Sequence, residues 1–471
     1  GYNRTISMMD SIKSRIHRRV NLDNIRLRRM VYRSNYPELR FKNIIIDGAN
    51  TQQQAYIKKE FHKSDNKEFS YEDLKQGYFR LLSDNMISEI IPHAIYNPED
   101  DTYDLHLKVK LENNFAVRLG GNISTSNSNQ IYLGLSYQDL NYYAKEFVFD
   151  GQLGKVYNNA QFMAKIDFST AIPTSYRFIA SISTFDYFKK DKLFSRNDKP
   201  AFNQKDERFL KLQVGLPFLS SKRAEFGIGI ARIEDKYFQK SVIDFGNDKF
   251  DKSRYDLFGG SISFNGSTLN SRQYPTRGYR EALIAQIFIG RERFYPGESA
   301  TGNNNKEHHS WLQLSYMKEK YHNMSEHWVL GWYLKALYAS KNFSENYTAT
   351  MMQAGEFSPT QHSKLTYNEA FRANQFVGAG IRPIYRLNQM FHLRGEFYGF
   401  MPIYPIERNS LNKAYYGKAF SKFEYLGEIS VVCQLPFGDI SAYVNHYSSP
   451  RREWNVGLSI GFQLFNYRFI E

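Results

Sequence analysis

Trp454–Leu464 alternates without a break between large apolar side chains and small or polar ones. Because successive side chains of a β-strand point to opposite faces, such a strand is apolar on one face and polar on the other. The same period of two recurs from Phe115 onward, and long polar loops separate its repeats. In a soluble β-sandwich the connections between strands would be those of an ordinary globular protein instead. A closed barrel in a membrane, with lipid outside and water inside, accounts for the pattern.

The composition of the chain excludes membrane crossing by helices. Mean hydropathy is −0.57, and no run reaches the ~18 apolar residues that a helical span needs. This search for apolar runs does not detect membrane-spanning strands, since only every second residue of a barrel strand faces lipid. Aromatic residues, among them 35 Tyr and 37 Phe, make up 16% of the chain and suit the aromatic girdles of membrane barrels. A tyrosine-rich β-sandwich is the alternative interpretation.

Sixteen segments between Asn113 and Leu464 carry the alternation, and bacterial barrels made of one chain use an even number of strands. We therefore predict an all-β membrane protein whose residues 113–471 form a 16-stranded antiparallel transmembrane β-barrel. Small residues such as Gly227 and Gly229 fall on its inward face. A barrel of this size is wide enough for a channel, and small inward residues leave room for a folded loop or another plug.

Residues 39–112 follow a different pattern, which predicts a small α+β domain of order β-α-α-β-β. A first strand, Phe41–Ile46, is ended by an Asp-Gly pair, and a helix is predicted over Thr51–Phe61. A second helix opens at Ser70 with the spacing of a capping box, in which Asp73 stands where Glu is more usual. Two strands joined by a polar turn complete the unit.

Residues 1–38 hold short basic stretches with a weak helical period, and we interpret them as a linker. This linker either lies against anionic lipid and holds an upstream domain there, or is a solvated charged connector. The first residue is Gly1, not Met, and no signal peptide precedes it. Since a secreted barrel must carry such a peptide, we expect the chain to be a processed or truncated product.

A net charge of +14 raises the question of nucleic acid. The basic residues are scattered through turns, however, and no recognition helix or stacking platform accompanies them. Attraction to anionic lipid headgroups explains the charge more simply. We expect outer-membrane lipids and lipopolysaccharide as partners, and no nucleic acid.

Asn270–Tyr279 contains the most specific local motif, Tyr-Pro-Thr-Arg-Gly. Pro275 presets a turn, and Gly278 supplies the backbone freedom to reverse direction into the next strand. By itself a Pro-Thr-x-Gly turn is only a hairpin. Here Tyr274, Pro275 and Gly278 directly precede a barrel strand, and the motif is similar to the Tyr-Pro-Thr-x-Gly turn of the bacterial surface antigen family, the barrel half of BamA-like proteins. The order and lengths of the elements in 39–112 likewise resemble one POTRA domain, the periplasmic module that precedes such barrels.

The connection Ala339–Asn374 is far longer than an ordinary barrel loop, which marks it as functional or disordered. In BamA-like proteins the sixth outer loop folds into the lumen, and the arginine of a Val-Arg-Gly-Phe-like motif pairs with an inward acid. The resemblance implies that Arg372 forms this lock with Glu396, although the glycine and the following aromatic residue are absent here. The alternative is that Arg372 is a solvated loop arginine.

No catalytic or metal-binding constellation is evident in the sequence. Ser459 lies in a Gly-x-Ser-x-Gly pattern, but a hydrolase elbow needs a strand, a sharp turn and a helix, and this serine lies in mid-strand alternation. The single cysteine, Cys433, permits no internal disulfide. His308 and His309 fall in a polar loop without zinc spacing. We predict no catalytic residues, no metal site and no cofactor.

Several stretches resemble the C-terminal half of the patatin-like phospholipases of the Bacteroidota, namely Phe357–Lys364, Tyr367–Gln375, Gly120–Ser124 and Asp150–Gly154. In that family an N-terminal patatin lipase domain is joined to one POTRA domain and a 16-stranded BamA-like barrel. The resemblance implies a cell outer-membrane protein with its POTRA domain in the periplasm. Lipid acyl hydrolysis would belong to a patatin domain outside these residues.

Two functions follow from this resemblance. In the first, the barrel anchors, displays or exports a fused patatin-like phospholipase, and the upstream patatin domain is its partner. In the second, it assembles or translocates other outer-membrane proteins through a weak seam between the Phe115 strand and the last strand, where Trp454, Leu458 and Phe462 lie. A second copy of the chain or other outer-membrane proteins would then be its partners.

Overall fold

The computed structural model describes most of the chain in twelve stretches. They are residues 2–16, 21–34, 38–61, 68–82, 86–125, 129–168, 172–186, 203–219, 222–239, 249–300, 303–449 and 454–471. Residues 17–20 and 35–37 of the predicted linker lie outside them. The chain divides into two compact units, 1–112 and 113–471. None of the described helices is long and apolar enough to cross a bilayer.

Within its described residues the first unit contains five helices and four strands. They are α1 (Tyr2–Ser7), α2 (Met9–Arg15), α3 (Leu22–Ser34), β1 (Arg40–Asp47), α4 (Thr51–Phe61), β2 (Phe69–Ser70), α5 (Tyr71–Leu82), β3 (Ile87–Asn97) and β4 (Thr102–Leu111). The sheet has the order β2-β1-β4-β3, in which β1 and β4 are parallel. Ile57 and Phe61 of α4 and Leu81 of α5 are buried in its core. This small α+β unit is POTRA-like.

The predicted capping box at the start of α5 is present. The amide of Asp73 donates to the hydroxyl oxygen of Ser70 at 3.2 Å, and the amide of Ser70 donates to the carboxylate of Asp73 at 3.0 Å. Two amides that the first turn of a helix leaves without partners are thus satisfied. The shorter aspartate accepts the hydrogen bond that glutamate usually accepts at this position.

The second unit is a closed barrel with further short elements in its loops. Its elements are β5 (Phe115–Ser124), β6 (Gln130–Leu140), β7 (Ala144–Gly154), β8 (Tyr157–Phe168), β9 (Thr174–Asp186), β10 (Asn203–Phe218), β11 (Lys222–Tyr237), β12 (Asp251–Ser267), β13 (Gly278–Tyr295), β14 (Asn305–Asn323), β15 (Trp328–Ala339), α6 (Tyr347–Gln353), β16 (Gly355–Glu356), β17 (Arg372–Ala373), β18 (Gln375–Arg386), β19 (Phe391–Pro402), β20 (Ile406–Arg408), β21 (Ala414–Tyr416), β22 (Glu424–Leu435), β23 (Gly438–Tyr447) and β24 (Trp454–Gly461). Sixteen strands form the wall in the order β10-β11-β12-β13-β14-β15-β18-β19-β22-β23-β24-β5-β6-β7-β8-β9. The predicted 16-stranded antiparallel barrel is confirmed.

The barrel wall is apolar outside and polar inside. On β10 and β11 the side chains of Leu212 and Ile228 are 54% and 55% exposed, whereas Lys211 and Gln213 are 5% and 7% exposed. A soluble protein would bury the first pair and expose the second. The alternation therefore fits lipid on the outside and a filled polar lumen on the inside.

The two ends of the barrel differ in the length of their connections. At one end, here called the turn end, strands are joined by short connections such as residues 141–143 and 436–437. At the other, the loop end, lie connections as long as 340–374 and 403–423. Strand β5 starts at the turn end and β24 finishes there. Three segments leave the wall and enter the lumen: the tail (residues 462–471), the cross-lumen turn (residues 268–277) and the long loop (residues 340–374).

Candidate functional site in the lumen and at the seam

The barrel closes through a short junction between its first and last strands, here called the seam. Among the described residues, three pairs join β5 and β24, from Ser124 opposite Ser459 to Asn122 opposite Gly461. The neighbouring junction of β23 and β24 has eight pairs. Since each backbone hydrogen bond contributes about 1 kcal/mol net, the seam is held by far less ladder energy than the rest of the wall.

Toward the turn end, β5 continues beyond the seam as an open edge. Its segment Phe115–Gly120 pairs with β6 on one side and with no strand of the described chain on the other. Phe115, Val117 and Leu119 on this edge are exposed apolar side chains. An open edge of this kind is a template on which another strand can add.

The last strand ends early because the chain turns into the lumen at Gly461. The prediction that it continues to Leu464 was wrong. Gly461 has φ +111°, and a Cβ there would lie 2.2 Å from the carbonyl oxygen of Gly121, so only glycine fits without strain. The amide of Phe462 then donates to that same oxygen at 2.7 Å.

The tail ends in an aromatic anchor that fits between inward glycines. Phe469 is buried against Phe209 and Phe288, with ring centroids 5.9 and 5.7 Å away. A Cβ at Gly229 or Gly259 would lie 2.9 or 3.1 Å from the Phe469 ring. The small inward residues therefore make room for a plug, as their position in the sequence predicted.

Polar groups of the wall hold the backbone of the tail. The side chain of Gln286 donates to the carbonyl of Phe469 at 3.1 Å and accepts from the amide of Glu471 at 3.0 Å. Glu207 accepts from the amide of Phe469 at 2.8 Å, and Lys211 pairs with the carboxylate of Glu471 at 3.2 Å. The tail is thus fixed by both packing and hydrogen bonds.

Gln273 of the cross-lumen turn joins the tail, the opposite wall and the long loop. Its amide nitrogen donates to the carbonyl of Gly461 at 3.0 Å and to Asp439 at 3.3 Å. Its amide oxygen accepts from the backbone N–H of Gln463 at 3.0 Å. Its own carbonyl accepts from Gln361 at 3.0 Å. Strands β12 and β24 are third and eleventh in the wall order of sixteen, so this turn spans the full width of the lumen.

The predicted turn signature lies in the same segment. Gly278 has φ +93°, and a Cβ there would lie 2.1 Å from a backbone oxygen, which explains the glycine. The hydroxyl of Tyr274 bonds to Ser441 at 3.0 Å, and the carbonyl of Pro275 accepts from Arg394 at 2.8 Å. The motif is therefore more than a hairpin, because it carries contacts to the far wall.

The long loop crosses the lumen from the loop end to the turn end. Its segment Phe357–Lys364 packs against the wall. The Phe357 ring lies so close to Gly378 that a Cβ at that position would be only 2.2 Å from the ring. His362 bonds through Nδ1 to Glu428 at 2.9 Å and stacks on Tyr443 at a centroid distance of 3.4 Å. The contact of Gln361 with the cross-lumen turn completes the crossing.

Arg372 is paired within the long loop and not with Glu396. It bonds to Glu356 at 2.7 Å, lies 4.7 Å from the Tyr367 ring, and donates to backbone carbonyls at the end of α6. The physical reason is the register of two short strands. β16 and β17 form a ladder in which Glu356 is directly opposite Arg372, and side chains at directly opposite positions are close enough to pair. The predicted Arg372–Glu396 lock is corrected accordingly.

Glu396 belongs to a buried cluster on the barrel wall. It pairs with Arg394 and, at 3.6 Å, with Arg382. Arg382 also pairs with Glu319 and donates to the carbonyl of Pro359 in the long loop at 3.2 Å. In this contact the wall supplies the arginine and the loop supplies the acceptor. The prediction had placed the arginine on the loop and the acceptor on the wall.

The structure separates the predicted site residues into two groups. Pro275 and Glu396 are both bonded to Arg394, and Tyr274 is bonded to Ser441 on the same side of the wall. Trp454 and Leu458 face outward on β24, 71% and 52% exposed, whereas Phe462 follows the break in that strand. Sequence reasoning missed Gln273 and the tail, although Gln273 directly precedes the motif that was singled out.

Titration behaviour differs between two polar groups of the long loop. Burial lowers the pKa of Lys364 to about 8. Burial also raises the pKa of Glu369, against the hydrogen bond from Tyr347 that lowers it. Because burial disfavours the charged form of each group, the contribution of each group to the free energy of unfolding depends on pH.

The lumen is largely filled by its own chain. Between the tail and the long loop remains a cavity of about 170 Å³, lined in part by Lys335, Glu356, Arg372, Arg468 and Glu471. It is charged and small, and no hydrolytic constellation lines it among the described residues.

Two features bear on catalysis and metals. Ser459 donates to Asn122 at 2.6 Å, and its hydroxyl has no histidine or carboxylate partner among the described residues. His309 lies in β14 and not in a loop, which corrects the sequence assignment; its ring bonds to Glu292 at 2.8 Å, and Glu307 completes a group whose ligand atoms lie within 4.8 Å of one another. Glu292 and His309 form a buried hydrogen-bonded pair through Nε2 of the histidine.

These features define a class of fold: a closed 16-stranded antiparallel β-barrel with a short seam and a lumen closed by its own segments. The chain is similar to the crystal structure of BamA from Haemophilus ducreyi lacking POTRA domains 1–3, with a TM-score of 0.61, 12% identity, and coverage of 90% of this chain and 84% of that one. It is also similar to CdiB from Acinetobacter baumannii, with a TM-score of 0.52, 9% identity, and coverage of 90% and 74%. No protein-family model and no curated protein matches the sequence. The likeness establishes the fold.

Proposed function

We propose that this protein assembles or transports other proteins at the outer membrane, with the seam as its working site. The single observation that carries the proposal is the junction of three residue pairs beside an open edge on β5. The shared fold with BamA and CdiB is consistent with it.

In this mechanism a strand of the substrate protein adds to the free edge Phe115–Gly120. Backbone hydrogen bonds to that edge are independent of side chains, so many strands can be accepted. Widening the seam breaks the three pairs of the described junction, together with the hydrogen bonds of Thr125 to Leu458 and of Phe462 to Gly121, at a cost of a few kcal/mol. The tail and Gln273 hold the seam closed when no substrate is present.

The proposed orientation places the turn end and the POTRA-like unit in the periplasm and the loop end outside the cell. Short turns on the periplasmic side and long loops outside are the usual arrangement in such barrels. Outer-membrane lipid and lipopolysaccharide then surround the outward apolar belt. A second copy of the chain or another outer-membrane protein is the proposed partner at the seam.

A second function is favoured by the filled lumen. The tail, the cross-lumen turn and the long loop occupy it along its length, which suits an anchor that displays or exports a fused domain. The fused domain would be a patatin-like phospholipase upstream of residue 1, joined through the basic segment 1–38. Lipid hydrolysis would then belong to that domain and not to the barrel.

Reconstitution tests the two functions. The purified chain in liposomes is offered a urea-unfolded outer-membrane barrel protein, and the folded, protease-resistant fraction is measured against empty liposomes. Assembly predicts a faster appearance of folded substrate, and no acceleration contradicts it. The intact mass of the product from native membrane, compared with 55.3 kDa, tests the fused domain: an excess of a whole domain with lipase activity supports display, and its absence contradicts it.

A further inference from the structure

The outward face of five neighbouring strands carries a row of basic side chains, here called the basic row. Its members are directly opposite one another in the ladders of β10 to β14. They are Arg208, Arg232, Asp256, Arg291 and His308. Three arginines and one histidine thus face a single acid.

The basic row lies at the edge of the apolar belt. Two residues closer to the turn end, the corresponding row is Leu210, Ile230, Phe258, Ile289 and Ser310. Its four apolar members are between 45% and 58% exposed. The change from apolar to charged therefore falls at the same level on four adjacent strands, which marks the boundary of the hydrocarbon layer.

Charge in the basic row is not balanced by the protein. Arg232 pairs with Asp256 at 2.7 Å, and Arg293 shares the same acid at 3.8 Å. Arg208 and Arg291 have no acidic partner within 4.0 Å among the residues that the structure describes. Arg208 is also directly opposite Arg232, and like charges at that position are destabilising. An anion bound from outside would remove this repulsion.

An apolar groove opens directly beneath the basic row. It has a volume of about 1050 Å³ and is lined by Phe162, Ile182, Leu210, Ile230, Phe258 and Ile289, with arginines at its upper rim. Its position on the lipid-facing surface suits acyl chains. The combination of an apolar groove and a cationic rim is complementary to a lipid with an anionic headgroup.

We infer that the basic row binds a doubly phosphorylated glycolipid of the outer leaflet, the lipid A part of lipopolysaccharide. Arg208 and Arg291 lie on β10 and β13, three strand spacings apart, or roughly 14 Å. A disaccharide with a phosphate at each end bridges that span, whereas one phosphate does not. Arginine forks hold phosphate oxygens by two parallel hydrogen bonds. This inference rests on the proposed orientation, in which the loop end faces the outer leaflet.

The test is binding of fluorescent lipid A to the purified chain in zwitterionic micelles. The variant Arg208→Gln/Arg291→Gln removes the two unpaired arginines. Lys318→Gln/Lys320→Gln is the matched control, since it removes two cations from the opposite end of β14. Lipid A with one phosphate and phosphatidylglycerol serve as comparison ligands, and thermal unfolding checks that both variants are folded.

We expect the arginine variant to bind lipid A at least tenfold more weakly and the lysine control to bind as the parent does. The parent should also prefer lipid A with two phosphates over both comparison ligands by at least tenfold. Equal binding by both variants, or no preference for two phosphates, would overturn the inference. Neither result bears on the proposed assembly of other barrel proteins, which is measured separately on the same variants.

Orientation is checked independently. Asn409→Cys in a Cys433→Ser background places a thiol in the loop of residues 403–423. Labelling by a membrane-impermeant maleimide in intact cells supports the orientation on which the inference rests. Protection in intact cells, with labelling after lysis, overturns the orientation and with it the outer-leaflet site.

Discussion

The side chain of Gln273 accepts a hydrogen bond from the backbone N–H of Gln463 at 3.0 Å and donates to the carbonyl of Gly461 at 3.0 Å. One glutamine from the far wall thus brackets the point at which the last strand leaves the barrel. The seam, the tail and the cross-lumen turn are consequently one structural unit.

Replacing Gln273 with alanine should loosen the tail without unfolding the barrel. The substitution removes one hydrogen bond to the tail, at Gln463, and one to Gly461, where the last strand ends, each contributing about 1 kcal/mol. We expect the amides of residues 462–464 to exchange with deuterium roughly tenfold faster, as measured by mass spectrometry in nanodiscs. Gln138→Ala, on the wall at β6, is the control. Unchanged exchange in the Gln273 variant would show that Gln273 does not hold the tail.

Adding a methyl group at Gly378 should displace the long loop. A Cβ there would lie 2.2 Å from the Phe357 ring, and overpacking of this kind costs about 1–3 kcal/mol. We expect Gly378→Ala to increase the rate of tryptic cleavage at Lys364. Gly260→Ala, whose Cβ would meet its nearest neighbour at 3.4 Å, should not. Equal cleavage of the two variants would mean that the loop does not pack at Phe357.

Arg372 should be energetically coupled to Glu356 and not to Glu396. The first pair is directly opposite in a two-stranded ladder at 2.7 Å, whereas Glu396 is already paired with Arg394. In double-mutant cycles with Arg372→Met, we expect a coupling of about 1–3 kcal/mol for Glu356→Gln and less than about 0.5 kcal/mol for Glu396→Gln. Thermal unfolding by electrophoretic mobility supplies the free energies. The opposite ranking would restore the predicted lock.

Much of this fold is readable in the sequence, since a period of two places Leu212 outside and Lys211 inside wherever a strand forms. The capping box at Ser70 and the glycine at Gly278 are local features, and the sequence predicts them for local reasons. The end of the last strand is not local. Gly461 continues the alternation, and the need for glycine there appears only once the carbonyl oxygen of Gly121 lies beside it.

The lock was missed for a related reason. Arg372, Glu356 and Glu396 are all plausible by charge, and the choice among them is made by the register of β16 against β17. The role of Gln273 could be found only from the closed barrel, because its partners lie more than 160 residues away in the chain. Contacts across a lumen leave no periodic trace in sequence.

Lys364 should make the barrel more stable as pH rises from about 8 to about 10.5. Its pKa is lowered to about 8 in the folded state by burial, against 10.5 for the ordinary lysine. In that window the unfolded chain binds more protons than the folded one, so the free energy of unfolding increases with pH, by about 3 kcal/mol at most. Lys364→Met should reduce the increase measured for the whole protein, while Lys418→Met, in an exposed loop, should leave it unchanged. Thermal unfolding midpoints between pH 7 and pH 10.5 measure the effect, and a parallel rise in both variants would contradict it.

A disulfide across the seam tests the proposed function most directly. Ser124 and Ser459 are opposite one another, so Ser124→Cys/Ser459→Cys in a Cys433→Ser background can bridge β5 and β24. Gln161→Cys/Ser181→Cys bridges β8 and β9 elsewhere in the wall and serves as the control. We expect oxidation of the seam pair to abolish assembly of substrate barrels in liposomes, reduction to restore it, and the control pair to remain active in both states. Full activity with the seam oxidised would contradict a working seam and leave the barrel as an anchor.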